Sequence, residues 1–235
     1  MNDATLEIDV VDPTDDPIDL SILASHHATS AFGLISGGLI LTLFTVRRSI
    51  SNTLSVDLVA DWLGWGLIIF ALAKISAMSP RVARLRTLAV AALVCSIANW
   101  VHVDADPRTA ITILQLALSL TTFALALYFM WHCAGLIARM AEVAREDELK
   151  KYTISRRRLL ITVAGAFGLL ALPSVLGLEE TLHPILIALG FSYLAGVGLY
   201  LELVWRTRKF CQRHERLRAE AEIPPHRETE SRSTR

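Results

Sequence analysis

The chain has 235 residues, 23 basic against 23 acidic, and is 53% hydrophobic and 20% charged, with a mean hydropathy of +0.45. So apolar a composition leaves too little charge to cover a soluble domain of this size, and it excludes disorder, collagen and a disulfide scaffold. The balanced charge excludes a nucleic-acid-binding domain.

No Asp, Glu, Lys or Arg occurs in 20–46, 62–73, 87–103, 109–138, 159–178 or 181–201, and these windows cover more than half of the chain. A helix needs about 20 apolar residues to cross the hydrocarbon core. The pattern therefore predicts an all-α integral membrane bundle of six transmembrane helices. Residues 1–27 come first as an acidic cytoplasmic tail, with seven acids and no base in the first 19 residues. A secretion signal needs a basic start, so none is expected and the first apolar helix would direct insertion. The helices are then expected at 28–46, 56–76, 85–103, 109–138, 158–178 and 183–205. The second must carry Asp57, Asp61 and Lys74 near its ends. The fourth exceeds one bilayer and should tilt or run on into the cytoplasm. In the loop 139–157, Ile137, Met140, Ala141, Ala144 and Leu149 recur at helical spacing and read as such an extension. Pro173 should kink the fifth helix. Residues 206–235 form a basic cytoplasmic tail, helical at first and disordered after about 223, where Pro224-Pro225 intervenes.

Six spans place both termini and the loops after helices two and four on one side. That side holds Arg81, Arg84, Arg86, Arg139, Arg145, Lys150, Lys151, Arg156, Arg157, Arg158 and the six bases from Arg206 to Arg218. The other side holds Arg47, Arg48 and Arg108. Positive residues mark the cytoplasmic face, so a multi-pass protein of the bacterial inner membrane with both termini inside is expected. Arg156–Arg158 also suit an anionic inner leaflet.

Within 56–78, VDLVADWLGWGLIIFALAKISAM resembles the second helix of a loose set of small uncharacterised bacterial polytopic membrane proteins. The matching residues are Asp57, Asp61, Gly64, Trp65, Leu67, Ile68 and Lys74, with Ala60 where that set usually has Pro. The stretch WHCAGLIARMAEVAREDELKKY is similar in style. The resemblance implies a spanning second helix and no activity.

Ionisable groups in a bilayer are candidate functional residues. Asp57, Asp61 and Trp65 fall on one helical face if the second helix starts before Asp57. Near them by depth come His102 and His183 with several acids, a set that could hold a cation or pass protons. Glu202 could pair with Lys74, since both lie in the cytoplasmic half. Paired histidines at one depth, His26 with His132 and His102 with His183, could each ligate a haem b; any metal is otherwise unknown. Gly33-x-x-x-Gly37, Ala164-x-x-x-Gly168 and Ser192-x-x-x-Gly196 allow close helix packing. Cys95, Cys133 and Cys211 form no redox pair. No nucleophile elbow, P-loop, zincin or dinucleotide fingerprint is present, which leans away from an enzyme. The leading expectation is an accessory or structural-regulatory membrane protein without a cofactor. Its partners would be the lipid bilayer, itself or another membrane protein, and no nucleic acid. A small ion- or proton-coupled transporter or channel, with Asp61, Glu202 and Lys74 as its groups, and a haem-binding electron carrier are the alternatives.

The orientation has a direct check. In a cysteine-free background, a membrane-impermeant maleimide added to intact cells should label a cysteine at position 106 or 180 and not one at 150. Labelling at 150 from outside would reverse the topology.

Overall fold

The computed structural model describes residues 18–42, 47–51, 54–57, 61–103, 110–175 and 179–221. Side chains at 20, 47–57, 101–103, 112, 116, 161 and 163–193 lie outside that description, as do the expectations for the acidic tail up to residue 17, the loop 104–109 and the chain end. Among the described residues there are seven α-helices: α1 (Leu20–Leu23), α2 (His26–Leu41), α3 (Asp61–Lys74), α4 (Pro80–Ala98), α5 (Ala110–Val143), α6 (Asp147–Val175) and α7 (Glu179–Ala221). Three strands, β1 (Arg47–Ser51), β2 (Leu54–Asp57) and β3 (Val101–Val103), form an antiparallel sheet in the order β1-β2-β3.

Each long helix packs on the next in sequence, and α7 returns to pack on α2, so α2–α7 form a closed ring. The buried positions follow helical periodicity. In α2 they include Ala28, Ala31, Phe32, Ile35 and Leu39; in α4 they are Val82, Leu85, Ala89, Ala92 and Ser96. Trp65 of α3 and Phe129 of α5 meet edge to face with centroids 5.5 Å apart, an arrangement worth about 0.5–1.5 kcal/mol beyond burial. Buried Tyr200 of α7 has its hydroxyl beside the Cys133 thiol of α5.

The α-helical expectation is borne out, with a small sheet added. The first two predicted helices are shorter than expected, and the third keeps its length but starts earlier, at Pro80, and ends at Ala98. The chain leaves α2 after Leu41, and Arg47–Asp57 forms a hairpin in which Arg47 faces Asp57 in register. Val101–Val103, expected at the end of the third helix, pairs instead with Leu54–Val56. β-Branched and serine residues favour this extended pairing over helix. At 1.5 Å per residue α2 and α3 are only about 24 Å and 21 Å long, below the hydrocarbon thickness. Among the described residues one stretch, Ile113–Val143 of α5, is by itself long and apolar enough to cross a membrane. The six-span expectation is therefore not carried by helix length.

One further boundary moves. The loop 139–157 is not one extension of the fourth helix: α5 ends at Val143, Arg145 takes a left-handed conformation (φ 59°), and α6 begins at Asp147. Glu146 N–H bonds the Ala141 carbonyl at 2.8 Å, closing the last turn of α5. Asp147 and Glu148 then stand at the positive end of α6. The basic segment after Trp205, expected to stay helical at first, continues α7 to Ala221, and α7 packs on α2.

The close helix contact falls one residue from the expected motif. Gly37 has open space around it and Gly33 lies against the Arg208 side chain, whereas Gly38 meets Gly64 across the α2–α3 crossing. A Cβ on Gly38 would stand 2.6 Å from the Gly64 carbonyl oxygen and 2.7 Å from Ile68 Cγ1. Gly38→Ala should therefore cost about 1–3 kcal/mol through overpacking, while Gly37→Ala should be neutral or stabilising by up to about 1 kcal/mol. Thermal unfolding of the two purified variants checks this, and equal midpoints would show that the crossing is not tight.

Candidate functional site

One end of the ring collects the polar side chains. Helix α2 begins there at His26, α3 ends there at Lys74, α4 begins there at Pro80, the α5–α6 turn lies there, and α7 passes along it. Between α2 and α7 an open groove of about 650 Å³ is lined by His26, Thr29, Ser30, Arg208, Glu215 and Arg216 among others. Glu215 is its hub: Thr29 Oγ1 donates to Oε2 at 3.0 Å, and His26 Nδ1 stands 3.6 Å from Oε1. Lys74 Nζ donates to Ser30 Oγ at 3.2 Å and covers the Phe70 ring at 4.9 Å. Arg208 rests on the bare backbone of Gly33.

A second cluster joins α6 to α7. Glu202 Oε1 accepts from Arg206 Nη2 at 2.8 Å and Nε at 3.0 Å, and Arg156 Nη2 stands 3.8 Å from Oε2. Both guanidiniums lie over the Tyr152 ring, Arg156 at 4.6 Å and Arg206 at 4.3 Å from its centroid. Further along, Arg213 Nη1 reaches Glu146 at 3.6 Å, and Glu142 takes Arg139 at 2.8 Å and Lys150 at 3.0 Å.

These contacts redistribute the sequence candidates. Glu202 and Lys74 do not pair: Glu202 is held by arginines of α6 and α7, and Lys74 by Ser30 of α2. Asp57 and Asp61 do not share a helical face, because Asp57 ends β2 and Asp61 opens α3. Half-buried Asp61 sits in the first turn of α3, where the helix dipole favours a carboxylate. His26 and His132 are not brought together as a ligand pair. Both are exposed, His26 beside Glu215 and His132 against the Tyr128 ring at 4.3 Å, on helices that are not neighbours in the ring. His102 lies in β3 and not in a helix, and His183 lies in α7; their side chains are outside the described residues. Among the described residues no group of three or more His, Cys, Asp or Glu is placed to hold a metal ion.

Thr29, Arg208 and Glu215 were not anticipated. The available signal was Glu215 itself, an acid inside the basic run from Arg206 to Arg218. Burial pushes the Cys211 thiol, one turn earlier, up to about 12, which leaves it an unreactive packing residue. Comparison of the chain with protein-family models, curated proteins and solved structures finds no match.

Asp19 anchors the segment before α1 to this end. Its Oδ1 accepts from Ser21 Oγ at 2.6 Å and Ser21 N at 2.8 Å, and its N–H donates to the Met78 carbonyl at 3.1 Å. The Ser21 hydroxyl and amide hold its carboxyl below the usual range. A depressed folded-state value adds stability above the unfolded value of about 3.9, and that stability is lost as pH falls through the folded value. Hydrogen exchange at Ser21–Leu23 should therefore accelerate below about pH 4 in the wild type. In Asp19→Asn it should be faster at neutral pH and indifferent to acid. An unchanged acid response in the variant would assign the transition to another group.

Proposed function

We propose that the chain is a multi-pass membrane protein of accessory or structural-regulatory type, acting through the polar end of its helix ring and not as a conduit. The observation that carries the reading is the outer surface. Val90, Val94 and Ile97 of α4, Ile113, Leu114 and Leu120 of α5, Phe70 of α3 and Leu194 of α7 are all more than 40% exposed. Only 12% of the most apolar stretch of α5 is buried. Soluble proteins rarely leave so large an apolar surface uncovered, and a core helix of a soluble fold would be mostly buried.

The exposed face of α4 changes along its length, from Arg84 and Arg86 to Val90, Val94 and Ile97. This is the pattern of a helix that passes from a basic, headgroup-facing turn into lipid. The sheet belongs beyond the hydrocarbon at the opposite end, since open strand edges are not tolerated in lipid. The reading keeps both termini with the basic end, in the cytoplasm of a bacterial inner membrane.

Lys74 is met by Ser30 of the adjacent α2, Glu202 by Arg206 of its own helix and Arg156 of α6, and Trp65 and Phe129 pack edge to face in the interior. This supports a scaffold over a transport path. Such a protein would bind through the α2–α7 groove and the α5–α6 turn, to itself or to another membrane protein.

Alkaline carbonate washing of membranes should leave the chain in the pellet, and its release would sink the membrane reading. Liposomes carrying the purified protein and an internal pH dye should show no proton flux above protein-free liposomes, and Asp61→Asn should remain inserted and indistinguishable. A flux abolished by Asp61→Asn would replace the scaffold reading with a proton-coupled transporter.

A further inference from the structure

We infer that the seam between α2 and α7 holds one phospholipid molecule, its phosphate on Arg208 and an acyl chain along the bare glycines Gly37 and Gly198. The lipid rests on the membrane reading, and it becomes part of the surface that the α2–α7 groove offers a partner.

The charge at the seam is unbalanced. Half-buried Arg208 lines the groove of about 650 Å³. Its guanidinium lies over the Trp205 ring, Cζ 5.1 Å from the centroid, and against Gly33, where a Cβ would stand 3.4 Å from Nε. That Nε is buried and meets no acceptor, and among the described residues no carboxylate pairs with Arg208. Other arginines of α7 differ: Arg206 is held by Glu202 and Arg213 by Glu146. Arg216, exposed in the same groove, adds a second positive charge. Glu215 stands two turns beyond Arg208, about 10 Å along α7, and already accepts from Thr29, with His26 beside it. Desolvating a cation is costly unless a counter-charge offsets it. An oxyanion in the groove supplies that charge, and a guanidinium fork steadied on an indole fits phosphate oxygens.

Two features of the seam favour a lipid over a soluble anion. Trp205 is 48% exposed and follows the charge-free run 181–201, the place of an interfacial tryptophan. Arg208, one turn beyond it, therefore stands at the level of the inner-leaflet phosphates. The seam also continues past Arg208 as an uncovered furrow. On α2, Ser30 and Gly33 of the groove are followed on the same stripe by Gly37; on α7, Arg208 and Trp205 are followed by Gly198 and Leu194. A Cβ at Gly37 or Gly198 would meet nothing within 4 Å, and Leu194 is 56% exposed. In hydrocarbon such a track is covered by an acyl chain. One that begins beside an unpaired arginine selects a lipid whose headgroup carries a phosphate.

The test uses the purified full-length protein in detergent, examined by native mass spectrometry with phosphatidylglycerol, with diacylglycerol of the same chains, or with inorganic phosphate. Wild type should retain phosphatidylglycerol in preference to diacylglycerol. Arg208→Gln should weaken that retention about fivefold, and Arg158→Gln, at an exposed position of α6, should leave it unchanged. Arg208→Lys keeps the charge and so protects the fold; it should retain less than wild type, because lysine offers no fork. Gly37→Leu fills the furrow from open space and should lower retention while the unfolding midpoint holds. Unaltered retention in both Arg208 variants, or in Gly37→Leu, would overturn the site. Arg208-dependent binding of inorganic phosphate, with no preference for phosphatidylglycerol over diacylglycerol, would overturn the lipid and assign the groove to a soluble anion. Release of the chain by carbonate would sink the membrane reading alone, since retention in detergent is read on the same variants either way.

Discussion

The approach of α2 to α3 at Gly38 and Gly64 sets the geometry on which the rest of the bundle depends. Either position with a Cβ would drive it into the opposing backbone or into Thr42 and Ile68. With both bare, the two helices lie close enough for Lys74, at the far end of α3, to reach Ser30. Trp65, next to Gly64, is then directed inward to Phe129 of α5. A helix pair seated that deeply leaves the other side of α2 free, and α7 fills it. Backbone proximity through small residues is the main source of helix–helix affinity where both sides of the equilibrium are apolar.

The ion pairs play a different part. Glu142, Glu146 and Glu202 each pair with arginine or lysine at one end of the bundle, on side chains that are largely exposed. Such pairs contribute between about 0 and 1 kcal/mol each, too little to hold the ring together against chain entropy. They favour one stagger: Glu146 with Arg213 and Glu202 with Arg156 fix how far α6 slides along α7. The Thr29–Glu215 bond does the same for α2 on α7 across 186 residues of sequence. Arg157 stands apart from these pairs, half-buried with its guanidinium over the Trp131 ring of α5.

Much of the helical content was legible because it rests on local properties. A run of uncharged residues with Leu, Ala and Phe spread through it forms a helix in any apolar surrounding, and α5 and α2 lie in the two longest such windows. The sheet was missed because Arg47–Asp57 carries little more than alternation and a turn, and its partner Val101–Val103 is remote in the chain. Short strands become stable only when a third strand completes the ladder, and no window of sequence contains that information.

What the sequence by itself determined is the class of molecule: helical, apolar outside the caps, with its bases gathered toward one end, all following from composition and period. Which polar residues meet was decided by the tertiary structure alone. Lys74 and Glu202 have the charges to attract each other, and the sequence reading set both in the cytoplasmic half. The ring order places α2 beside Lys74 and α6 beside Glu202, so each takes a nearer partner. Glu215 shows the converse. In sequence it is one acid in a basic tail. It becomes the hub of the α2–α7 groove because α7 continues as helix and turns that face toward Thr29 and His26. Charge attraction falls off within about 10 Å in salt, so partnership follows helix order and stagger, which packing over the whole ring sets.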